Sequence, residues 1–227
     1  MCIHHFTRRQ ILAGLSATAA YSCFPQGLMA DDKNVRRLAG SLDIAGFKAR
    51  GAGTAMTISA QDKQTAFAIG EDAFLADERL VAEFELNKDG QVASLNVVAG
   101  QILSVFKPVA GRQTALNTPN ASASIRGTGC FVDVDTDAPN TYLCCCYGEV
   151  AIENTSSGEQ QRLKNAYHNA RYITPEGIFA KVPYQVPLNH YDDQLVALEK
   201  AVGRAPHWQL PDDKMHFIAP EPIPFNS

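Results

Sequence analysis

Long apolar segments and an excess of basic charge are both missing from this sequence. The only long apolar run lies within the first 30 residues, which excludes a protein with several membrane spans. Lys and Arg together number 20 against 24 Asp and Glu, giving a net charge of -4, and no basic stripe runs along the chain. A nucleic-acid-binding surface is therefore not expected.

The signatures of common enzyme classes are missing as well. The sequence has no Gly-x-Ser-x-Gly elbow, no His-Glu-x-x-His motif, no phosphate-binding loop and no dinucleotide fingerprint. We therefore expect a protein that is not an enzyme. Its 227 residues, of which 45% are hydrophobic, suffice for one ordinary globular core or two small ones.

The N-terminus has the features of an export signal. Residues 7–12, TRRQIL, resemble the twin-arginine signature, and a weakly hydrophobic stretch follows over residues 11–24. No acidic residue precedes Asp31, which fits a cleavable signal better than an amphipathic helix. We predict cleavage after Ala30 and a periplasmic or other extracytoplasmic location in a bacterium. In an alternative interpretation, a degraded lipoprotein box makes Cys23 the site of a lipid anchor.

Most of the remaining chain is patterned for strands. Apolar and polar residues alternate from Leu80 to Leu86, and Asp89 and Gly90 offer a turn into residues 91–98, which predicts a hairpin. Further short strands are predicted at 65–69, 101–106, 129–135, 141–147 and 149–153. The predicted fold is mainly β: a multi-stranded β domain with short flanking helices and a proline-rich C-terminal extension.

Helices are predicted only at the flanks of this β domain. Apolar residues at helical spacing predict a short helix within residues 31–42. Asn189 can cap a second helix over residues 190–202, which Gly203 would end. The tail over residues 206–227 is rich in proline and is predicted to be extended.

The polar stretch over residues 154–161 interrupts the strand pattern and is interpreted as a boundary. The predicted organisation is a signal peptide at 1–30, an N-terminal helix with the first strands at 31–79, a β core at 80–153, and a C-terminal extension at 154–227.

The segment from Leu116 to Val134 resembles the core of the FecR-domain family. The residues that carry the resemblance are Thr118, Pro119, Ile125, Arg126, Gly127 and Thr128, followed by a valine-rich strand that ends at residues 147–150. Residues 86–90 and 100–102 are similar to the strand-turn-strand units of that family. The resemblance therefore covers about residues 80–153.

The resemblance implies a β-rich extracytoplasmic domain with a protein partner in the cell envelope. The family is best known from iron-dicitrate signalling, in which a membrane-anchored regulator relays the state of a receptor to a sigma factor. This chain has no apolar run of about 20 residues after a cytoplasmic regulatory domain, so the sigma-regulator activity is not carried over. Arg126 is either a structural residue that binds backbone carbonyls or a carboxylate, or a residue that binds an anion.

Four cysteines follow the predicted signal peptide, and alternation places Cys144 and Cys146 on one face of a strand and Cys145 on the other. The predicted hairpin register sets Cys130 opposite Cys146, whereas a slip by one residue would bring Cys145 beside it. Three interpretations stay open: a disulfide between Cys130 and Cys146, buried free thiols, and a metal or redox site.

The third interpretation uses Cys144 and Cys146 with His168 and His190. Thiolates and imidazoles are the ligands that soft and borderline transition metals prefer. Each histidine alone fits a hydrogen-bonded structural role, but together they indicate that the C-terminal segment folds back over the cysteine hairpin and closes a pocket.

These features give three functional hypotheses. The first is an exported, non-enzymatic FecR-domain protein that acts as a periplasmic sensing or binding module, with a role in envelope signalling. The second is a periplasmic metal-binding or thiol-redox protein centred on the cysteine and histidine cluster. The third is a structural component of a larger envelope assembly.

Overall fold

The computed structural model describes residues 35–50, 53–135, 137–138, 140–164, 167–180, 188–205, 219 and 223, and only the backbone at 46–50 and 128. The predicted signal peptide, the alternative lipid anchor at Cys23 and nearly all of the predicted proline-rich tail lie outside these residues. Within the described part of the chain, no helix is long and apolar enough to cross a membrane.

The fold is mainly β, as the sequence predicts. The described residues form thirteen strands and one helix, in chain order β1 (Val35–Ala39), β2 (Leu42–Arg50), β3 (Gly53–Ala60), β4 (Thr65–Ile69), β5 (Asp72–Ala76), β6 (Val81–Leu86), β7 (Val92–Val105), β8 (Thr114–Asn117), β9 (Ala121–Asp135), β10 (Asn140–Asn154), β11 (Gln160–Lys164), β12 (Asn169–Thr174), β13 (Gly177–Ala180) and α1 (Asp192–Ala201). The predicted hairpin is confirmed, because β6 pairs antiparallel with β7.

All thirteen strands belong to one hydrogen-bonded sheet, whose main path runs β1-β4-β5-β7-β8-β9-β10-β12-β13. Strands β9 and β10 have 15 residues each and pair antiparallel along their lengths. The short strands predicted at 129–135, 141–147 and 149–153 are segments of these two long strands.

Strand β7 changes its neighbours at Gly100. Before this residue β7 pairs with β6, and after it β7 pairs with β5 on one side and β9 on the other. Gly100 has φ of +83°, which residues with a side chain rarely adopt. It also lies against the backbone of Arg79 and Leu80, so the absence of a side chain allows the close approach.

The two faces of the sheet carry two separate apolar clusters. We call them the first core, which contains four packed phenylalanines, and the second core, which helix α1 covers. The phenylalanines are Phe67, Phe74, Phe84 and Phe106, with ring centroids 5.1–5.8 Å apart. In the second core, Leu195 and Leu198 of α1 are buried in the same cluster as Leu103 and Phe131 of the sheet.

Helix α1 confirms the predicted C-terminal helix, but its first residues differ from the prediction. The N-cap is Tyr191 rather than Asn189, and the Tyr191 backbone N–H donates to the side-chain oxygen of Gln194 at 3.1 Å. Asn189 instead has φ of +58° and turns the chain before the helix. Gly203 ends the helix as predicted, with φ of +71° and its N–H on the Lys200 carbonyl at 3.0 Å.

The helix predicted within residues 31–42 is wrong. Strand β1 occupies this segment and pairs antiparallel with β4, with an irregularity between Arg37 and Ala39. Every residue of β4 is buried, so this strand needs a hydrogen-bonded neighbour on each side. Pairing with β4 therefore outweighs the helical spacing of a few apolar residues. Among the described residues α1 is the only helix.

The boundary predicted at residues 154–161 does not divide the sheet. This polar stretch is the turn between β10 and β11, and the side-chain oxygen of Asn154 accepts hydrogen bonds from Ser156 N and Ser157 N, each at 2.9 Å. The Asn154 amide donates to the Thr174 carbonyl at 2.6 Å. Strands β11, β12 and β13 continue the same sheet, so the predicted core at 80–153 and extension at 154–227 share one fold.

The close approach at Gly100 predicts a large cost for Gly100→Ala. A Cβ there would lie 2.5 Å from Leu80 N and 2.6 Å from Arg79 O, and neither backbone atom can move without disturbing the strands. Gly111→Ala is the matched control, because Gly111 has φ of +78° but no atom within 4 Å of the added Cβ. We expect the first variant to lose at least about 2 kcal/mol more of the free energy of unfolding than the second, measured by denaturant unfolding. Equal losses would contradict the packing role.

Candidate metal centre

The pairing of β9 with β10 decides which cysteines face which core. Cys145 lies opposite Cys130, and Cys144 lies opposite Phe131. The predicted register was therefore wrong by one residue, because the connecting loop between Asp135 and Asn140 is one residue shorter than predicted. Cys144 and Cys146 are consequently in the second core, while Cys130 and Cys145 are in the first.

The predicted disulfide between Cys130 and Cys146 is also wrong for the same reason. The two residues are buried in different cores on opposite faces of the sheet, and all four cysteines are free. The structure has the alternative register, slipped by one residue, which places Cys145 beside Cys130.

The pairing of β9 with β10 is irregular at Cys146, where the sulfur atoms of Cys144 and Cys146 come close together. The register between β9 and β10 shifts between Cys145 and Tyr147 and again between Tyr147 and Glu149. Alternate residues of a regular strand are about 6.7 Å apart. The bulges bend β10 locally, and the sulfur atoms of Cys144 and Cys146 lie within 4.8 Å of each other.

Two histidines from later in the chain complete the cluster. His168 lies just before β12 and is attached to β10 by its backbone N–H, which donates to the Cys146 carbonyl at 3.3 Å. His190 lies just before α1. One potential ligand atom from each of Cys144, Cys146, His168 and His190 lies within 4.8 Å of the others, and we call this set the Cys2His2 centre.

The Cys2His2 centre is closed to solvent. The exposed fractions are 0% for Cys144, 1% for Cys146, 7% for His168 and 0% for His190. The Phe131 ring stacks on the His190 ring, with centroids 4.3 Å apart and planes 10° apart. The C-terminal segment therefore folds back over the cysteine strand as predicted, and its histidines form a packed cluster with the two cysteines.

Each imidazole is held by a hydrogen bond on the side away from the sulfurs. Nε2 of His168 is 2.8 Å from Asp192 Oδ1, and Asp192 Oδ2 accepts a hydrogen bond from the Tyr167 hydroxyl at 2.7 Å. Nδ1 of His190 is 2.7 Å from the Leu188 carbonyl oxygen. Carboxylates and carbonyls behind metal-bound histidines are the usual outer contacts of such sites.

These hydrogen bonds determine which ring nitrogens face the cluster. A carbonyl only accepts, so Nδ1 of His190 donates and Nε2 offers a lone pair. By the same argument Nε2 of His168 donates to Asp192 and Nδ1 offers a lone pair. Nδ1 of His168 is 3.1 Å from Nε2 of His190 and 3.8 Å from Cys144 Sγ. Two lone pairs at this distance repel each other unless a proton or a metal cation lies between them.

Burial and local charge act in opposite directions on these groups. Burial lowers the pKa of His168, but its hydrogen bonds to Asp192 and Cys144 outweigh this and raise the pKa to about 9. Burial raises the pKa of Cys144, but the hydrogen bond with Cys146 and the attraction of His190 outweigh it and leave the pKa well below the ordinary value. The pKa of Cys146 is raised by burial and by its bond with Cys144. A thiolate at Cys144 is therefore favoured beside a cation.

The backbone is strained at this centre. Among the described residues, the non-glycine residues with positive φ are His168, at +51°, and Asn189, at +58°. Left-handed conformations are tolerated by Asn and cost other side-chain-bearing residues about 1–2 kcal/mol. Such strain persists where the surrounding structure enforces it and is concentrated at functional sites.

The chemistry of the Cys2His2 centre fits a four-coordinate metal ion. With usual zinc bond lengths, a tetrahedron has edges of about 3.3 Å between two nitrogens and about 3.6 Å between a nitrogen and a sulfur. The observed separations are 3.1 Å between the two histidine nitrogens and 3.8 Å between Nδ1 of His168 and Sγ of Cys144, within a cluster no wider than 4.8 Å, and they are close to these edges.

All four residues of the Cys2His2 centre are predicted from the sequence, but the residues that surround them are not. By its sequence position Asp192 is an acid in the first turn of the predicted helix, and nothing local marks Tyr167 or Phe131 as its neighbours. Asp192 lies two positions after His190, which is a usable local signal. The other two contacts arise only from strand pairing.

The FecR-like motif lies outside the Cys2His2 centre. Thr118 forms the turn before β9, with its hydroxyl accepting the Ala121 N–H at 3.1 Å, and Pro119 is exposed in the same turn. Ile125 is buried in the first core.

The rest of that motif lies in β9 and contacts the chain just before β8. With the Gln113 amide turned so that its oxygen faces Arg126, the Arg126 Nε donates to it at 2.8 Å. Gly127 has φ of +51° and packs on Pro108. The side chain of Thr128 lies outside the described part of the structure.

Comparisons with known proteins give a weak structural likeness. No family model matches the sequence, and no curated protein matches it. Two solved structures, each described as a "putative anti-sigma factor" from Parabacteroides distasonis, are similar to the chain. One has 11% identity, a TM-score of 0.44, and covers 57% of this chain and 59% of its own. The other has 10% identity, a TM-score of 0.40, and covers 64% and 57%.

The matched region spans less than two thirds of either solved structure. At this identity and TM-score the likeness carries no argument about function, and the FecR resemblance stays a prediction.

The raised pKa of His168 gives a pH-dependent prediction for the metal-free protein. We expect an NMR titration of the His168 ring to have its midpoint near pH 9, compared with an ordinary value of 6.5. The folded protein then keeps a proton between these pH values that the unfolded chain releases. The contribution of His168 to stability is therefore complete below pH 6.5 and is lost as the pH rises through 9.

The control for this titration is the same measurement in denaturant, where His168 should return to its ordinary pKa. A midpoint at or below 6.5 in the folded protein would show that the contacts with Asp192 and Cys144 do not hold the ring as described.

Proposed function

We propose that this chain is a non-enzymatic metal-binding module that holds one transition-metal ion of the zinc class at its Cys2His2 centre. The observation that supports this most strongly is the convergence of four buried ligand atoms within 4.8 Å, contributed by β10, the segment before β12 and the segment before α1. Metal binding would join these three parts of the chain.

The ligand set favours a particular class of ion. Two thiolates and two imidazoles suit zinc and similar borderline or soft ions, whereas calcium and magnesium bind oxygen ligands. Four protein ligands and full burial leave no coordination position for a substrate. Both features support a binding, sensing or structural role over catalysis.

The setting of the module rests on the sequence. The twin-arginine-like residues 7–12 support export, and the route they resemble carries proteins that fold before they cross the membrane. A metal centre buried inside the fold is compatible with such a route. Together with the FecR-like run at residues 116–134, this supports a periplasmic module with a protein partner in envelope signalling.

A thiol-redox function is the second candidate, and the lowered pKa of Cys144 favours it. A thiolate is the reactive form of cysteine. The complete burial of Cys144 and Cys146 opposes it, because a redox partner must reach one of the sulfurs. Labelling of the native protein separates the two accounts: protection of both thiols by bound metal supports binding, and rapid labelling without metal dependence supports redox chemistry.

The proposed function predicts one zinc or cobalt ion per chain. We expect the purified protein to bind Co²⁺ with the visible bands of a tetrahedral thiolate complex and to exchange it for Zn²⁺ in equimolar amount. Cys144→Ser and His190→Ala each remove one ligand and should lower the affinity for Zn²⁺ at least about 100-fold, measured by competition with a chromophoric chelator.

The matched controls are Cys130→Ala and Cys145→Ala. Both residues are buried on or beside the same strand but belong to the first core. These variants should keep stoichiometric metal with nearly unchanged affinity, although they lose about 1 kcal/mol of stability. Loss of metal in the controls but not in Cys144→Ser would overturn the assignment, as would the absence of binding in the wild type.

The export proposal predicts that replacing Arg8 and Arg9 with lysine traps an uncleaved precursor in the cytoplasm. The control replaces Arg36 and Arg37, an exposed pair in β1, in the same way and should leave export intact. Cell fractionation with intact mass measurement tests both. The mass of the exported wild type also distinguishes cleavage after Ala30 from a lipid on Cys23, and a full-length protein in the periplasm would contradict both.

A further inference from the structure

We propose that Asp192 is the positioning residue of the Cys2His2 centre: it holds His168 so that Nδ1 faces the metal, while His190 presents Nε2. This inference rests on the proposed metal-binding function and extends it to the outer contacts. It links Tyr167, Asp192 and His168 by hydrogen bonds, with the His168 ring as the ligand of the metal.

The burial of Asp192 requires an explanation. The residue is only 3% exposed, and burying a carboxylate is costly unless hydrogen bonds replace its water. Both of its oxygens are engaged, one with the His168 ring and the other with the Tyr167 hydroxyl. An acid whose only role was at the helix N-terminus could remain in solvent, because an exposed carboxylate there already interacts favourably with the helix dipole.

The neighbouring aspartate shows this difference. Asp193 also lies in the first turn of α1, and its Oδ1 accepts hydrogen bonds from Gln194 N and Ala219 N, each at 3.0 Å. These contacts hold the backbone and reach neither histidine. Asp193 thus provides an internal reference for a structural acid in the same turn.

The strained backbone at His168 has an explanation in this arrangement. Adjacent side chains of an extended strand point to opposite faces. Tyr167 and His168 nevertheless both contact the carboxylate of Asp192, with their rings 4.9 Å apart and nearly perpendicular. The positive φ of His168 reverses the usual alternation and lets both rings reach one carboxylate.

The two histidines are fixed by different groups. Asp192 selects the His168 tautomer with the hydrogen on Nε2, whereas the Leu188 carbonyl selects the His190 tautomer with the hydrogen on Nδ1. Only this combination directs one lone pair from each ring towards Cys144 and Cys146. Without the hydrogen bond to Asp192, the His168 ring could rotate, and its Nδ1 lone pair would no longer point towards the two cysteines.

The experiment compares Asp192→Asn with Asp193→Asn in the full chain. An amide in place of the carboxylate keeps the size of the side chain but removes the charge that orients the His168 ring. We expect the affinity for Zn²⁺ to fall about 10- to 100-fold in Asp192→Asn and to change less than about threefold in Asp193→Asn. Tyr167→Phe should produce a smaller loss in the same direction, and it serves as the second variant if Asp192→Asn does not fold.

Two further measurements separate positioning from a purely structural role. The first is the rise in melting temperature that Zn²⁺ produces, which should shrink in Asp192→Asn and stay unchanged in Asp193→Asn. The second is a long-range ¹H–¹⁵N NMR spectrum of the zinc-bound wild type, which should show the hydrogen on Nε2 of His168 and on Nδ1 of His190. A structural role would lower the melting temperatures with and without metal equally.

The outcomes distinguish this inference from the proposed function. If the wild type binds no Zn²⁺, both fail together. If the wild type binds Zn²⁺ and Asp192→Asn and Tyr167→Phe bind it equally well, or if His168 has its hydrogen on Nδ1, the metal-binding function stands and the positioning role is overturned.

Discussion

The register between β9 and β10 is the constraint on which the rest of this structure depends. A shift by one residue would exchange every side chain of β10 between the two cores. In the observed register Cys144 lies opposite Phe131, and the bulges that follow bring Cys146 close to it. The same pairing places the Phe131 ring where it can stack on His190. The Cys2His2 centre and its aromatic neighbour are thus consequences of one backbone alignment.

Helix α1 is held against the sheet by buried polar contacts near both of its ends. Asp192 at its start contacts His168, and near its end the buried Glu199 accepts a hydrogen bond from the Tyr147 hydroxyl at 2.6 Å. Arg204 Nε donates to the other oxygen of Glu199 at 2.5 Å. Buried carboxylates of this kind are costly without such contacts, so they favour a single position of the helix over alternatives. Metal binding would act on an element that is already fixed.

The closed geometry of the Cys2His2 centre bears on the proposed binding role. A metal enzyme keeps a coordination position for substrate, whereas the Cys2His2 centre is surrounded by protein on all the sides that the structure describes. This closed arrangement is compatible with the binding role proposed above. The strain at His168 indicates that the fold maintains the centre at some cost in stability.

The sequence by itself determined the β class, the β6–β7 hairpin, the helix over Asp192–Ala201 and the identity of the four clustered residues. These depend on local alternation, turn residues and side-chain chemistry. Only the tertiary structure decided the hairpin register, the replacement of the N-terminal helix by β1, and the contact of Asp192 with His168. Each of these depends on partners distant in the sequence: β1 forms because β4 needs a neighbour, and Asp192 is buried because α1 packs on the second core. Local sequence patterns carry no information about which distant segments pair. These pairings are therefore known only from the tertiary structure.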